Sequence, residues 1–266
     1  MRARVPGNGE AVRALVTNDD GIDSPGLHAL ARVAVAAGLE VTVAAPHEES
    51  SGSSAAVSAV HSSGRLALHR HELPGVDAVR TLSVEASPGF IAFAGIRGAF
   101  GEPPDVVLSG VNKGPNTGRM VLHSGTVGAA LTATTHGLPG LAVSLEGAAD
   151  WTAEHAWDTA EEAAARALRW LLAHPPGPVV VNVNVPDVPP DRLRGLCAAR
   201  LAPHGAVQVD VGEAGEDFVT LTYRETPEAP APGSDVALLR EGWATVTLLG
   251  PPAEVPGAGY PGLGSA

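Results

Sequence analysis

The sequence predicts a doubly wound α/β fold: a mostly parallel sheet with helices on both faces and a β-rich C-terminal oligomerisation extension. Three observations predict it. Short apolar runs alternate with helical patterns up to residue 185, as in βαβ units with right-handed crossovers. Three of those runs end in polar, glycine-rich loops, which belong at the carboxyl edge where such sheets bind ligands. After Pro186 the pattern changes to polar–apolar alternation, the mark of antiparallel strands.

Taken in order, residues 1–11 carry two early arginines but no apolar stretch, so they read as a flexible leader and not a secretory signal. Residues 12–18 (VRALVTN) are a buried strand. A helix over 25–37 opens at Ser24-Pro25, where proline suits the first turn, and Gly38 closes it. Residues 40–45 (EVTVAA) are the next strand. A short strand at 105–109 (DVVLS) leads into a Gly/Asn loop, a helix near 125–136 and a strand at 140–145 (GLAVSL). The long helix 152–173 has Trp157, Ala160, Ala164, Leu168, Leu171 and Leu172 at helical spacing, which is core packing. The strand 178–185 (PVVVNVNV) completes a catalytic core over 12–185. In the extension, 186–250, residues 206–211 and 217–224 (DFVTLTYR) pair as an antiparallel ribbon. A Pro-rich linker (225–233) and a last strand (243–249) follow. With the parallel crossovers complete by residue 185, the extension is expected outside the sheet, its apolar faces (Val207, Val209, Val211; Phe218, Leu221, Tyr223) against a partner subunit. Residues 251–266 read as a disordered tail.

The bulk numbers narrow the function. A chain of 266 residues buries a sizeable core. Its net charge of −12, with no cluster of Lys and Arg, excludes a nucleic-acid polymer as ligand. No apolar run reaches the roughly 18 residues that span a bilayer. The single cysteine, Cys197, allows no internal disulfide and fits a reducing cytoplasm.

The chemistry begins at "LVTNDDGIDSPG", where a buried run meets Asn18, Asp19 and Asp20. Adjacent strand residues point to opposite faces, so paired acids there serve a divalent cation or else are solvated in an Asp-Gly turn. Two further strand ends add Ser51-Gly52-Ser53-Ser54 and Asn112 with Asn116. These hard oxygens suit Mg²⁺, Mn²⁺ or Ca²⁺. A fourth piece, "HSGTVGAA", puts Ser124, Gly125 and Thr126 at a helix start, where free N–H groups bind anions. Cation and anion cradle on one sheet edge point to phosphate-ester chemistry.

The pieces "TNDDGIDSPG", "APHEESSG", "PDVVLSGVNKGPNTG", "HSGTVGAA", "GLPGLAVSL", "VNVNVPDVP" and "GSDVALLREGWATVTLL" resemble, in order, the SurE family of survival-protein nucleotidases. The resemblance implies a Rossmann-like core, phosphatase activity on nucleoside 5′- or 3′-monophosphates, one divalent metal ion per subunit (Mg²⁺ or Mn²⁺), and a cytoplasmic homodimer or homotetramer built by a swapped C-terminal arm. It implies Asp19, Asp20, Ser51 and Asn112 as metal ligands. Asn18, Asn116, Ser124, Gly125 and Thr126 would surround phosphate and attacking water. Departures from the family pattern are His47-Glu48-Glu49-Ser50 in place of an Asp-Arg-Asn-basic stretch, His123 in place of tyrosine, and "ASPGFIAF" in place of "GTPxDCV". A non-catalytic nucleotide-binding protein that keeps the metal site is the alternative from another class.

Overall fold

A computed structural model describes residues 11–62, 64–76, 79–147, 154–174, 177–215, 218–225 and 229–254. The first strand, β1 (Arg13–Thr17), leads through α1 (Pro25–Ala36) to β2 (Glu40–Pro46). Three short strands follow, β3 (His61–Ser62), β4 (Arg65–Leu66) and β5 (Leu68–Arg70), then β6 (Arg80–Val84), α2 (Pro88–Ile96) and β7 (Val106–Lys113). A 3₁₀ turn over Gly118–His123 delivers the chain to α3 (Gly125–Thr135), β8 (Gly140–Leu145), α4 (Trp157–Ala173) and β9 (Val180–Val185). The remainder carries β10 (Leu196–Ala198), β11 (Val207–Ala214), β12 (Val219–Glu225), α5 (Asp235–Arg240) and β13 (Ala244–Leu249).

One nine-stranded sheet runs β10-β13-β9-β8-β7-β1-β2-β6-β5. Its centre, from β9 to β6, is parallel throughout, as the alternating pattern requires. Neighbouring residues of one strand serve opposite layers: Val16 packs with α1 and α4, and Leu15 with α2 and α3. The chain winds outward from β1 through β2 to β6, then returns to lay β7 on the other side of β1. The winding reverses between β1 and β7, and such a reversal opens a crevice at the carboxyl ends of the two strands.

Several elements differ from expectation. The strand expected at 105–109 continues to Lys113, because Gly110 (φ +126°) lets it hug β8. A Cβ on Gly110 would lie 2.2 Å from the Val143 carbonyl oxygen, so only glycine fits, and pairing resumes at Asn112 opposite Ser144. Much of the expected Gly/Asn loop is therefore strand. The helix expected from 152 begins at Trp157, after Asp187 Oδ1 has accepted the Ala156 N–H at 2.8 Å; residues 152 and 153 lie outside the described residues. β6, α2 and α5 add elements that periodicity did not show.

The region after Pro186 brings the largest correction. β13 lies inside the main sheet, antiparallel to β9 with Thr245 opposite Asn184, and β10 pairs beyond it. The physical reason is that β9 would otherwise present an open row of backbone donors and acceptors. Among the described residues after Pro186, only the β11–β12 ribbon pairs with no strand of that sheet. On it Val211 and Phe218 are 71% and 55% exposed. The side chains of Val207, Val209, Leu221 and Tyr223 lie outside the described residues, as do residues 1–10, 226–228 and 255–266.

Candidate metal and phosphate site

The site grows from the turn that ends β1. Asn18 is fully buried, and its Nδ2 donates to the Gly21 carbonyl at 2.9 Å, closing an Asn-Asp-Asp-Gly turn in which Gly21 takes φ +95°. Asn18 Oδ1 is buried without a hydrogen-bond partner. The turn sends the two acids to different supports. Asp19 Oδ1 accepts from Thr126 Oγ1 at 2.5 Å, and the backbone of Gly125 and Thr126 also hydrogen-bonds its carboxylate. Asp20 Oδ2 accepts the Lys113 N–H at the end of β7, at 3.0 Å.

Burial raises both carboxyls above the ordinary range, Asp20 to about 7, with the neighbouring Asp19 charge as the second cause. Both acids are therefore short of positive charge.

Ser124 caps α3, its Oγ accepting the Val127 N–H at 3.0 Å. The N–H groups expected to cradle a phosphate here are turned instead to Asp19. The cause is electrostatic: the positive end of a helix offsets a buried carboxylate as readily as it does a phosphate. A Cβ added at Gly125 would meet Asp19 Oδ2 at 2.7 Å and Ser53 Oγ at 2.6 Å, so glycine lets both side chains approach the start of α3 closely. Ser53 Oγ, like Asn18 Oδ1, is buried and unpartnered.

Asn112 Nδ2 donates to the carbonyls of Lys113 and Gly114 at 3.2 and 2.7 Å, leaving Oδ1 as its acceptor. Asn116 is gripped from the sheet. Its N–H donates to Asn184 Oδ1 at 2.7 Å, its carbonyl accepts from Asn182 and Asn184 Nδ2 at 3.0 Å each, and its own Nδ2 donates to Ser144 Oγ at 2.8 Å. Spacing did not assign Asn182, Asn184 and Ser144 a role, although amides at alternate positions of a buried strand are themselves a signal that a polar group needs holding. The 3₁₀ turn before Ser124 is anchored from the far end of the chain. Asp235, fully buried on α5, accepts the Gly118 N–H at 2.7 Å and the Ala202 N–H at 2.9 Å.

The structure thus gathers Asn18, Asp19, Gly125 and Thr126, and joins Asp20 to the Asn112–Lys113 end of β7. Ser51 departs: it is exposed, and its hydroxyl donates to Glu49 Oε1 at 2.8 Å. Among the described residues no group of three His, Cys, Asp or Glu side chains could hold a metal. The oxygens that could are two carboxylates and neutral Asn and Ser groups, a hard donor set that fits Mg²⁺ or Mn²⁺.

A family model described as survival protein SurE matches residues 14–207. The 5′-nucleotidase SurE of Carboxydothermus hydrogenoformans is 37% identical to this chain over 201 residues, 74% of each protein. That of Bradyrhizobium diazoefficiens is 35% identical over 246 residues, covering 90% of this chain and 93% of the relative. The crystal structure of SurE protein from Aquifex aeolicus superposes with a TM-score of 0.73 at 25% identity, covering 90% of this chain and 93% of that one.

Proposed function

The chain belongs to the survival protein SurE family, and from that premise we propose that its sheet-edge site hydrolyses nucleoside 5′- or 3′-monophosphates to nucleoside and phosphate. It is a phosphoric monoester hydrolase of the 5′-nucleotidase type. The observation that carries this reading is the Asp19–Asp20 pair, two carboxylates short of positive charge at the point where the sheet reverses its winding. Family membership implies metal dependence. We assign one divalent ion per subunit, Mg²⁺ or Mn²⁺, to Asp19, Asp20 and Asn112 Oδ1.

The chemistry such an ion supplies when bound is polarisation of a phosphoryl oxygen and a lowered pKa for water. The chain's own residues position the rest. Thr126 and the start of α3 favour ionised Asp19, and Asn18 fixes the turn that aims it. Ser124 accepts one N–H and still has its hydroxyl proton to donate to a phosphoryl oxygen. Asn116, immobilised by its three partners, offers Oδ1 to the attacking water. Preorganised donors of this kind are worth about 10²–10³ in rate each.

The lone thiol supports a cytoplasmic setting, and the exposed ribbon supports a homodimer or homotetramer. No helix among the described residues is long and apolar enough to cross a membrane. Phosphate release from a nucleoside monophosphate panel, with Mn²⁺, Mg²⁺ or chelator, tests the assignment. Release that depends on the added ion is expected. Inertness toward every monophosphate with both ions overturns it.

A further inference from the structure

The loop that follows β2 returns to the site as a strap. Ser50 N–H donates to the Asp19 carbonyl at 2.7 Å, and the chain then turns tightly. Ser53 N–H donates to the Ser50 carbonyl at 3.2 Å, and Ala56 N–H to the Ser53 carbonyl at 3.0 Å. Glycines on two helices let the strap lie flat. A Cβ at Gly125 would meet Ser53 Oγ at 2.6 Å, one at Gly128 the Ser54 carbonyl oxygen at 2.2 Å, and one at Gly89 the Ala56 carbonyl oxygen at 2.7 Å. The strap thus crosses the starts of α3 and α2 in close contact.

At its centre the strap is strained. Glycines aside, Ser54 alone among the described residues takes a left-handed backbone, with φ +53°, which an L side chain disfavours. Ser54 Oγ donates to the Leu122 carbonyl at 2.6 Å and so fastens this conformation to the 3₁₀ turn before Ser124. Its neighbour Ser53 turns inward to the start of α3, next to Asp19 Oδ2. There Ser53 Oγ is shut off from solvent and has no hydrogen-bond partner. A buried hydroxyl without a partner counts against the fold, as does the strained residue beside it. Such penalties gather where a ligand is held.

The place of the hydroxyl says which ligand. A phosphoryl group held at Ser124 comes beside Asp19 Oδ2, and two negatively charged oxygens repel unless a proton lies between them. Ser53 Oγ stands next to that carboxylate oxygen with a proton to give. We propose that Ser53 is a further catalytic residue of this chain, its hydroxyl donating to a phosphoryl oxygen beside Asp19. The inference rests on the nucleotidase reading and deepens it. Admission of the group lifts the strap, with Gly52 and Ser54 as pivots. Gly52 takes φ +77° and has no atom within 4 Å of where its Cβ would stand. Because Ser53 touches the phosphoryl group and not the nucleoside, it serves every phosphomonoester alike.

The experiment compares wild type with Ser53→Ala and Ser54→Gly. It measures melting temperature, Mn²⁺ affinity of the metal-free proteins, inorganic phosphate affinity of the Mn²⁺-loaded proteins, and kcat/KM for GMP and p-nitrophenyl phosphate. Ser53→Ala should melt no lower than wild type and bind Mn²⁺ equally well. It should bind phosphate at least about tenfold more weakly and lose about ten- to a hundredfold in kcat/KM, by the same factor for both esters. Ser54→Gly keeps the Ser53 hydroxyl and loses the tie to Leu122, so its phosphate affinity should fall by less. Phosphate affinity unchanged in Ser53→Ala overturns the proposal. A loss confined to GMP also overturns it, because the contact is then with the nucleoside. Weakened Mn²⁺ binding does so by making Ser53 a ligand of the ion, and a lowered melting temperature by making the hydroxyl structural. A wild type inert toward every monophosphate overturns the nucleotidase reading instead, and the phosphate affinities of the Mn²⁺-loaded proteins then decide Ser53.

Discussion

Asp19 and Asp20 share a turn yet differ in what holds them, and the difference can be measured. Asp19→Asn keeps an acceptor for Thr126 and removes a buried charge, so the metal-free variant should melt no lower than wild type while metal-stimulated hydrolysis falls at least about a hundredfold. Near-normal turnover in saturating Mn²⁺ would show that Asp19 does not serve the ion. For Asp20, burial and its neighbour lift the folded-state value from 3.8 to about 7. The folded chain thus binds the proton more tightly than the unfolded one. This contribution to stability is complete below about pH 4 and is lost as pH rises through about 7. Melting temperature of metal-free wild type should therefore fall between about pH 4 and 7, more steeply than that of Asp20→Asn, and Mn²⁺ affinity should rise over the same interval as the ion displaces the proton. Equal slopes for the two proteins would contradict this. The acid pair was legible in sequence because adjacent carboxylates at the end of a buried run are chemically out of place. The side-chain direction of Ser51 was not, since spacing in a Ser/Gly loop does not say that its hydroxyl faces Glu49 while Ser53 turns inward.

The elements cooperate through backbone groups that single residues satisfy. β9 supplies two buried amides to the Asn116 peptide, and losing one strands partners in a dry setting. Asn184→Ala should destabilise the protein by about 1–3 kcal/mol and lower kcat more than it raises KM, with thermal melting and steady-state kinetics as the checks. A stability loss with kinetics unchanged would reduce Asn184 to a structural strut. The helices and strands of the core were legible where apolar residues alternate with polar ones or with turn signals. α2 was not, because most of it is buried and no polar stripe marks its period. β7 was read too short because Gly110 looks like a turn residue, whereas its use is close approach to β8, a fact that belongs to the neighbouring strand. The segment at α3 was read correctly as a helix start, but its anion is the chain's own Asp19, brought there by a turn more than a hundred residues earlier.

Across the whole molecule, the β11–β12 ribbon leaves Val211 and Phe218 largely in solvent, and a two-stranded ribbon is marginal on its own. The full chain should sediment as at least a dimer at micromolar concentration, and Val211→Lys with Phe218→Lys should weaken self-association at least about tenfold. A monomeric wild type would contradict this and return the ribbon to its own core. The parallel centre of the sheet was legible, but the position of β13 was not, since an edge strand's partner is set by which edge lies open and not by its own alternation. That position, together with the anchor at Asp235, has a consequence for biosynthesis. The residues proposed to carry the chemistry are all made by Thr126, yet the turn before Ser124 is tied down by a carboxylate translated more than a hundred residues later. The edge of β9 is covered only when residues 244–249 emerge. A ribosome-bound chain stopped near residue 190 thus holds every reactive group and neither fastening, so it should aggregate and stay inactive. Chains released with both should become protease-resistant and active together, which makes the last eighth of the polypeptide a checkpoint on the first half.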